Sequence, residues 1–122
     1  MHSILVVDDE PALRELLATA LSEPGYTVHV AADGYEALCI LVEHPVDLLL
    51  TDVVIPGISG FELARQAKLM RPQLHVIYTS AYYDRADDGD GPIYGDLLPK
   101  PLRTRDLLKA VRREFGDEAM SC

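Results

Sequence analysis

The chain has 122 residues, 48% of them hydrophobic, which suffices for one globular domain with a single core and leaves no room for a second. Eleven Lys and Arg against twenty Asp and Glu give a formal charge of −9, which repels phosphate backbones and anionic lipid. This excludes nucleic acid and membrane surfaces as expected partners and favours proteins. No charged leader is recognisable and the apolar runs are too short to span a bilayer, so the cytoplasm is the expected compartment.

Residues 4–7 (ILVV) read as a first strand. Leu13, Leu16, Leu17, Ala20 and Leu21 follow at helical spacing, with Pro11 in the opening turn and Gly25 beyond the end. A second strand at 26–31 (YTVHVA) completes a βαβ unit. Asp33 and Glu36 then form a capping box for a helix ending near His44. VDLLLT (46–51) has the continuous apolar character of a strand buried on both faces, and a helix from Gly60 to Met70 stops before Pro72. LHVIYT (74–79) is a fourth strand and GDLLP (95–99) a short fifth. Thr104 is expected to cap a last helix with Leu107, Leu108, Val111 and Phe115 inward. Between the fourth and fifth strands, YYDRADDGDGPIYGD (82–96) leaves room only for a short or frayed helix. Its Asp84, Asp87, Asp88 and Asp90 do not have the spacing of a calcium loop. Repeated βα units with short connections imply a doubly wound parallel sheet with helices on both faces. Residues 1–117 are read as this domain and 118–122 as a tail. Cys39 and Cys122 lack metal-ligand or redox spacing, so Cys39 is expected to pack and Cys122 to be an exposed tail thiol.

The polar residues fall at carboxyl ends of strands. Asp8 and Asp9 follow the first, Asp52 ends the third, Thr79 and Ser80 end the fourth, and Lys100 follows the fifth. In an open parallel sheet these ends share one rim, and ligands bind where the strand order reverses, expected between strands one and three. Asp52 then faces Asp8 and Asp9. Three carboxylates so close repel one another unless cations are present. Lys100 supplies one positive charge, and a hard divalent cation is the natural remainder. Mg²⁺ suits such a place because it takes one or two carboxylates, water and a phosphate oxygen. Singly, these residues have plainer readings: Asp8, Asp9 and Glu10 as helix caps, Asp52 as a turn residue, Lys100 and Pro101 as loop. Together, on four strand ends, they describe an anion-plus-metal site.

The constellation closely resembles the receiver domain of two-component response regulators, and the resemblance covers nearly the whole chain. An acidic pair, a phosphoacceptor aspartate, a Ser/Thr before a small residue and a Lys-Pro occur in that family in the order seen here as VVDDE (6–10), TDVVIPGISG (51–60), TSA (79–81) and PKP (99–101). The resemblance implies a flavodoxin-like, five-stranded parallel sheet in the order 2-1-3-4-5. It also implies that Asp52 accepts a phosphoryl group, and that Asp9 and Asp52 bind Mg²⁺ directly. Asp8 would act largely through water, and the Val54 carbonyl would complete the protein ligands. Ser80 and Lys100 would meet phosphoryl oxygens, and the Lys100-Pro101 bond would be cis. The resemblance further implies a module that would promote its own Mg²⁺-dependent phosphorylation and dephosphorylation and would otherwise not be an enzyme. The chemistry agrees with these residue types: an ionised carboxylate attacks phosphorus without a general base if charge on the equatorial oxygens is stabilised. His2, His29, His44 and His75 are scattered, so the phosphohistidine is expected on a partner, a histidine kinase or histidine phosphotransferase, with a further protein downstream.

Two features depart from the family pattern. The aromatic switch position three residues before the lysine holds Leu97, expected to remain buried, and 82–96 is acidic and glycine-rich. Signalling is therefore expected to pass through 82–96 rather than an aromatic rotation. Among rival functions, a flavodoxin-type electron carrier would need a hydroxyl- and glycine-rich phosphate cradle where this chain has DDEP. A phosphatase of the haloacid dehalogenase type would carry its nucleophile after the first strand. The closest rival is a receiver-like module that binds a protein without being phosphorylated.

Overall fold

The computed structural model describes residues 2–81 and 94–116. In chain order these form β1 (Ser3–Val7), α1 (Pro11–Ser22), β2 (Thr27–Ala31), α2 (Gly34–Glu43), β3 (Leu48–Asp52), α3 (Gly60–Met70), β4 (His75–Ser80), β5 (Gly95–Pro99) and α4 (Thr104–Phe115). All four pairings are parallel, and the sheet order is β2-β1-β3-β4-β5, the flavodoxin-like order. The helix expected between β4 and β5, the larger part of the acidic segment, and Cys122 lie outside the described residues.

The apolar runs are continuous because both faces of the central strands are covered. Side chains alternate: Leu5, Val7, Leu49, Val76 and Tyr78 enter the core on one face, and Ile4, Val6, Leu48, Leu50 and Ile77 the core on the other. α2 and α3 close the first face through Ala37, Leu41, Leu63, Ala64 and Ala67. α1 and α4 close the second through Leu17, Leu21, Leu107, Ala110 and Val111. The two layers clamp β1 and β3 from both sides, so the positions where those strands end are fixed by the packing of the whole domain.

Local signals account for most boundaries. Asp33 accepts from the Glu36 N–H at 2.8 Å, but the Glu36 carboxylate reaches past the cap to the Ala32 N–H at 2.7 Å, so the box spans one residue more than its usual form. Ser59 caps α3 by accepting from the Glu62 N–H, and Gly116 closes α4 in the left-handed conformation at φ 74°. Thr104 is the first residue of α4 rather than its cap. Arg103 holds the cap position and makes no side-chain cap bond. Cys39 is exposed, not packed as expected. It lies two residues beyond buried Ala37, about 200° around the helix axis, and so faces away from the sheet. Leu97 is half-buried and packs against the α2/α3 face of the core, opposite fully buried Tyr78 in the β4–β5 register.

β5 approaches β4 closely only because Gly95 lacks a side chain: a Cβ there would lie 1.6 Å from the Val76 carbonyl oxygen. Gly95→Ala is expected to lower unfolding stability by about 1–3 kcal/mol, the range for forced overpacking, read as a shifted urea midpoint. A midpoint equal to that of the wild type would show that β5 is held at this distance by something other than the glycine.

Candidate functional site

The strand registers set the site. Val7 lies opposite Ala31 and Thr51, Asp52 opposite Thr79, and Ser80 opposite Pro99. The chain therefore leaves β1, β3, β4 and β5 at one level, and Asp8, Asp52, Ser80 and Lys100 arrive on a common rim. The order reverses between β1 and β3, and the crevice outside their carboxyl ends holds the three carboxylates.

Asp8, Asp9 and Asp52 each offer an oxygen, and the three oxygens lie within 4.8 Å of one another. Asp8 is 1% and Asp52 8% exposed, whereas Asp9 faces solvent. The Lys100 ammonium donates to Asp52 Oδ2 at 2.8 Å and to Asp8 Oδ2 at 3.1 Å, bridging the ends of β1 and β3. The remaining oxygens are also held. Asp8 Oδ1 accepts from the Glu10 N–H at 2.9 Å, and Asp52 Oδ1 from the Val54 N–H at 3.3 Å. Asp8 thus serves the turn, and Glu10 at the cap position of α1 makes no side-chain cap bond, so helix capping does not account for the acidic pair.

Burial lowers the affinity of Lys100 for its proton, but its hydrogen bonds to Asp52 and Asp8 outweigh that, and its pKa lies above the ordinary lysine value. Three carboxylates against this one bridging ammonium leave the crevice anionic. Hard oxygen donors with a negative balance and one solvent-facing member fit a hard divalent cation of the Mg²⁺ class.

Ser80 is 2% exposed at the end of β4, and its carbonyl accepts from the Lys100 N–H at 2.8 Å, tying the two expected site residues through the backbone. The Lys100-Pro101 bond is cis. The Val54 side chain is exposed while its backbone turns back on Asp52. Every expected site residue is therefore at the rim.

Other supports were not expected from the sequence. Arg14, one turn into α1, donates to the Asp8 carbonyl oxygen at 2.8 Å. Gly60 is required where α3 starts, because a Cβ there would lie 2.2 Å from the Asp52 carbonyl oxygen. Tyr78, buried in the core, accepts from the Tyr94 N–H at 3.2 Å and lies tilted against Phe61. A basic residue soon after an acidic pair and a glycine opening a helix were the available signals for the first two. A cleft of about 530 Å³ opens at the opposite end of the sheet, lined by His2, Asp47, Arg71, His75 and Phe115 among others, and holds none of the expected site residues.

Residues 4–112 match the family model described as the response regulator receiver domain. The chain belongs to this family. This receiver domain is 36% identical over 115 residues to the response regulator receiver protein CpdR of Brucella abortus, covering 93% of this chain and 96% of that protein. It is 39% identical over 111 residues to the response regulator MprA of Mycobacterium ulcerans, covering 89% of this chain but only 48% of the relative. It thus spans about half the length of that relative. Among solved structures, the response regulator TrrA of Thermotoga maritima in complex with Mg²⁺ and beryllium fluoride superposes with a TM-score of 0.81 at 34% identity, covering 93% of this chain and 99% of that one. The domain is a module of two-component systems, and among its described residues no helix is long and apolar enough to cross a membrane.

Lys100→Met leaves Asp8 and Asp52 facing each other without their bridging charge. Because the ammonium is partly open to water, the expected destabilisation at neutral pH is about 1–3 kcal/mol, below the value for a fully buried pair. A lysine whose folded pKa is raised stabilises fully below its unfolded value of about 10.4, and the contribution disappears as pH rises through the folded value. The gap between wild type and Lys100→Met should therefore be constant from pH 7 to about 10 and narrow above it. Urea unfolding across that range checks this, and a gap that widens with pH would contradict it.

Proposed function

We propose that this receiver domain is a Mg²⁺-dependent phosphoacceptor in which Asp52 takes a phosphoryl group from a partner's phosphohistidine. The observation that carries this reading is the ammonium of Lys100 bridging Asp8 and Asp52 within a cluster of three carboxylates. A carboxylate that is only structural needs no such surroundings. One that must gain a dianionic phosphoryl group does.

In the transfer, an Asp52 carboxylate oxygen attacks phosphorus, the P–O bond forms as the P–N bond to imidazole breaks, and the imidazole leaves neutral by taking a proton from solvent. A carboxylate nucleophile needs no general base, unlike a hydroxyl. The hydrogen bonds to its two oxygens, from the Val54 N–H and from Lys100, fix its rotation and direct it across the crevice. Lys100 stands where charge on the phosphoryl oxygens develops, and Ser80 lies on the neighbouring strand end. Asp9, Asp52 and the Val54 carbonyl, with Asp8 acting through water, would hold Mg²⁺, which would supply further charge neutralisation at those oxygens. The donor is a histidine kinase or histidine phosphotransferase, and a downstream protein reads the phosphorylated form. The Mg²⁺ and beryllium fluoride carried by the TrrA structure support this reading by family analogy.

A small phosphodonor with Mg²⁺ is expected to add one acid-stable, base-labile phosphoryl group, visible by intact mass, and Asp52→Asn should abolish it. Labelling of Asp52→Asn at the wild-type rate would sink the assignment, and an unlabelled wild type would favour a module that binds its partner without phosphorylation.

Asp9→Ala removes the solvent-facing direct ligand, so most divalent-ion binding and nearly all labelling should be lost. Asp8→Ala should lose less. Unchanged labelling of the wild type in strong chelator would show that no metal takes part.

A further inference from the structure

The segment 53–59 between β3 and α3 carries Val54, whose carbonyl is proposed to face the cation. Its two ends are fixed by hydrogen bonds. Val53 donates its N–H to the Thr79 carbonyl at 2.9 Å, and Gly60 donates to the Val53 carbonyl at 2.7 Å. The middle of the segment is braced from another element, the first turn of α2. A Cβ on Gly34 would lie 2.5 Å from Ile58 Cγ1, so the helix backbone sits directly on that side chain. Beside it the Tyr35 ring lies over Gly57, where a Cβ would be 2.6 Å from Cε2 and 3.1 Å from Cδ2. Gly57 has φ 87°, a left-handed conformation that only glycine adopts readily.

Tyr35 is 59% exposed and does not belong to either core cluster. An aromatic ring left that open at the start of a helix contributes little to folding, yet this one rests on the backbone of the site loop. The turn that carries it is itself rigid: Asp33 and Glu36 tie its N–H groups, and the Ala31 carbonyl just before it accepts the Asp8 N–H at 3.1 Å. The junction of β2 and α2 therefore touches both sides of the crevice, the acidic pair through Ala31 at the end of β2 and the segment 53–59 through Gly34 and Tyr35 in α2.

We infer that Tyr35 is a positioning residue of the cation site, its ring holding Gly57 and hence the Val54 peptide where a divalent cation can use the Val54 carbonyl. The inference rests on the proposed Mg²⁺ site. The ring, rather than the phenolic hydroxyl, makes the contact, so phenylalanine should replace tyrosine and alanine should not. Loosening the loop leaves Asp9 and Asp52 in place, so the defect should fall on affinity and be overcome by concentration.

Isothermal titration of the intact chain with MgCl₂ alone, for wild type, Tyr35→Phe and Tyr35→Ala, tests this, with labelling by a small phosphodonor measured across Mg²⁺ concentration. Tyr35→Ala is expected to weaken Mg²⁺ about tenfold, the low end for removing a support behind a metal ligand. Its labelling rate at saturating Mg²⁺ should approach that of the wild type, its melting temperature should hold, and Tyr35→Phe should bind as the wild type does. Wild-type affinity in Tyr35→Ala, or an equal loss in Tyr35→Phe, would overturn the inference while leaving the cation site standing. A wild type that binds no Mg²⁺ would overturn both.

Discussion

The rest of the site depends on one constraint: carboxylates cannot be set close together at the ends of buried strands without positive charge. Asp8 and Asp52 are almost fully buried where β1 and β3 end, and Asp9 stands beside them. In a low-dielectric setting such charges are tolerated only when paired and hydrogen-bonded. Lys100 supplies one pairing and reaches two of the three, while the Glu10 and Val54 N–H groups satisfy the opposite oxygens. The charge left over suits the crevice to a hard divalent cation.

Topology makes this arrangement reproducible. Two layers of helices fix β1 and β3 by alternating side chains, so the end of each strand is a defined point rather than a fraying tip. Because Ser80 pairs with Pro99 and Lys100 comes next, the lysine emerges level with Asp52, although 48 residues separate them in sequence. The loop after Asp52 is then shaped by residues that make close approach possible: Gly60 against the Asp52 carbonyl, Gly34 against Ile58, and Gly57 beneath Tyr35. The same packing that stabilises the domain thus gathers a charge cluster at one end of the sheet.

Much of this was legible in the sequence because the relevant signals are local or periodic. Continuous apolar runs gave the buried strands, Asp33 with Glu36 gave the start of α2, and Pro72 gave the end of the helix from Gly60 to Met70. That Asp8, Asp9, Asp52, Ser80 and Lys100 gather at one rim was legible because parallel strands send all their carboxyl ends there. What was not legible depends on rotation or distance. Whether Cys39 faces in or out turns on about 100° per residue, and an apolar stretch such as ALCILV does not fix the phase. Thr104 and Arg103 differ by one position, within which helix starts commonly vary. Arg14 on the Asp8 carbonyl and Tyr35 on Gly57 are contacts between separate elements, and no spacing in the chain announces them.

The account's central claim is that the crevice between β1 and β3 is built to receive a cation and a phosphoryl group together on Asp52. A crystal structure of the chain grown with Mg²⁺ and beryllofluoride addresses it most directly. The account predicts a beryllofluoride group on an Asp52 oxygen, the Lys100 ammonium moved from the carboxylates onto a fluorine, and Mg²⁺ contacting Asp9, Asp52 and the Val54 carbonyl. A saturated crystal with Asp52 unmodified and Lys100 still bridging Asp8 and Asp52, or with the cation bound away from the three aspartates, would contradict it.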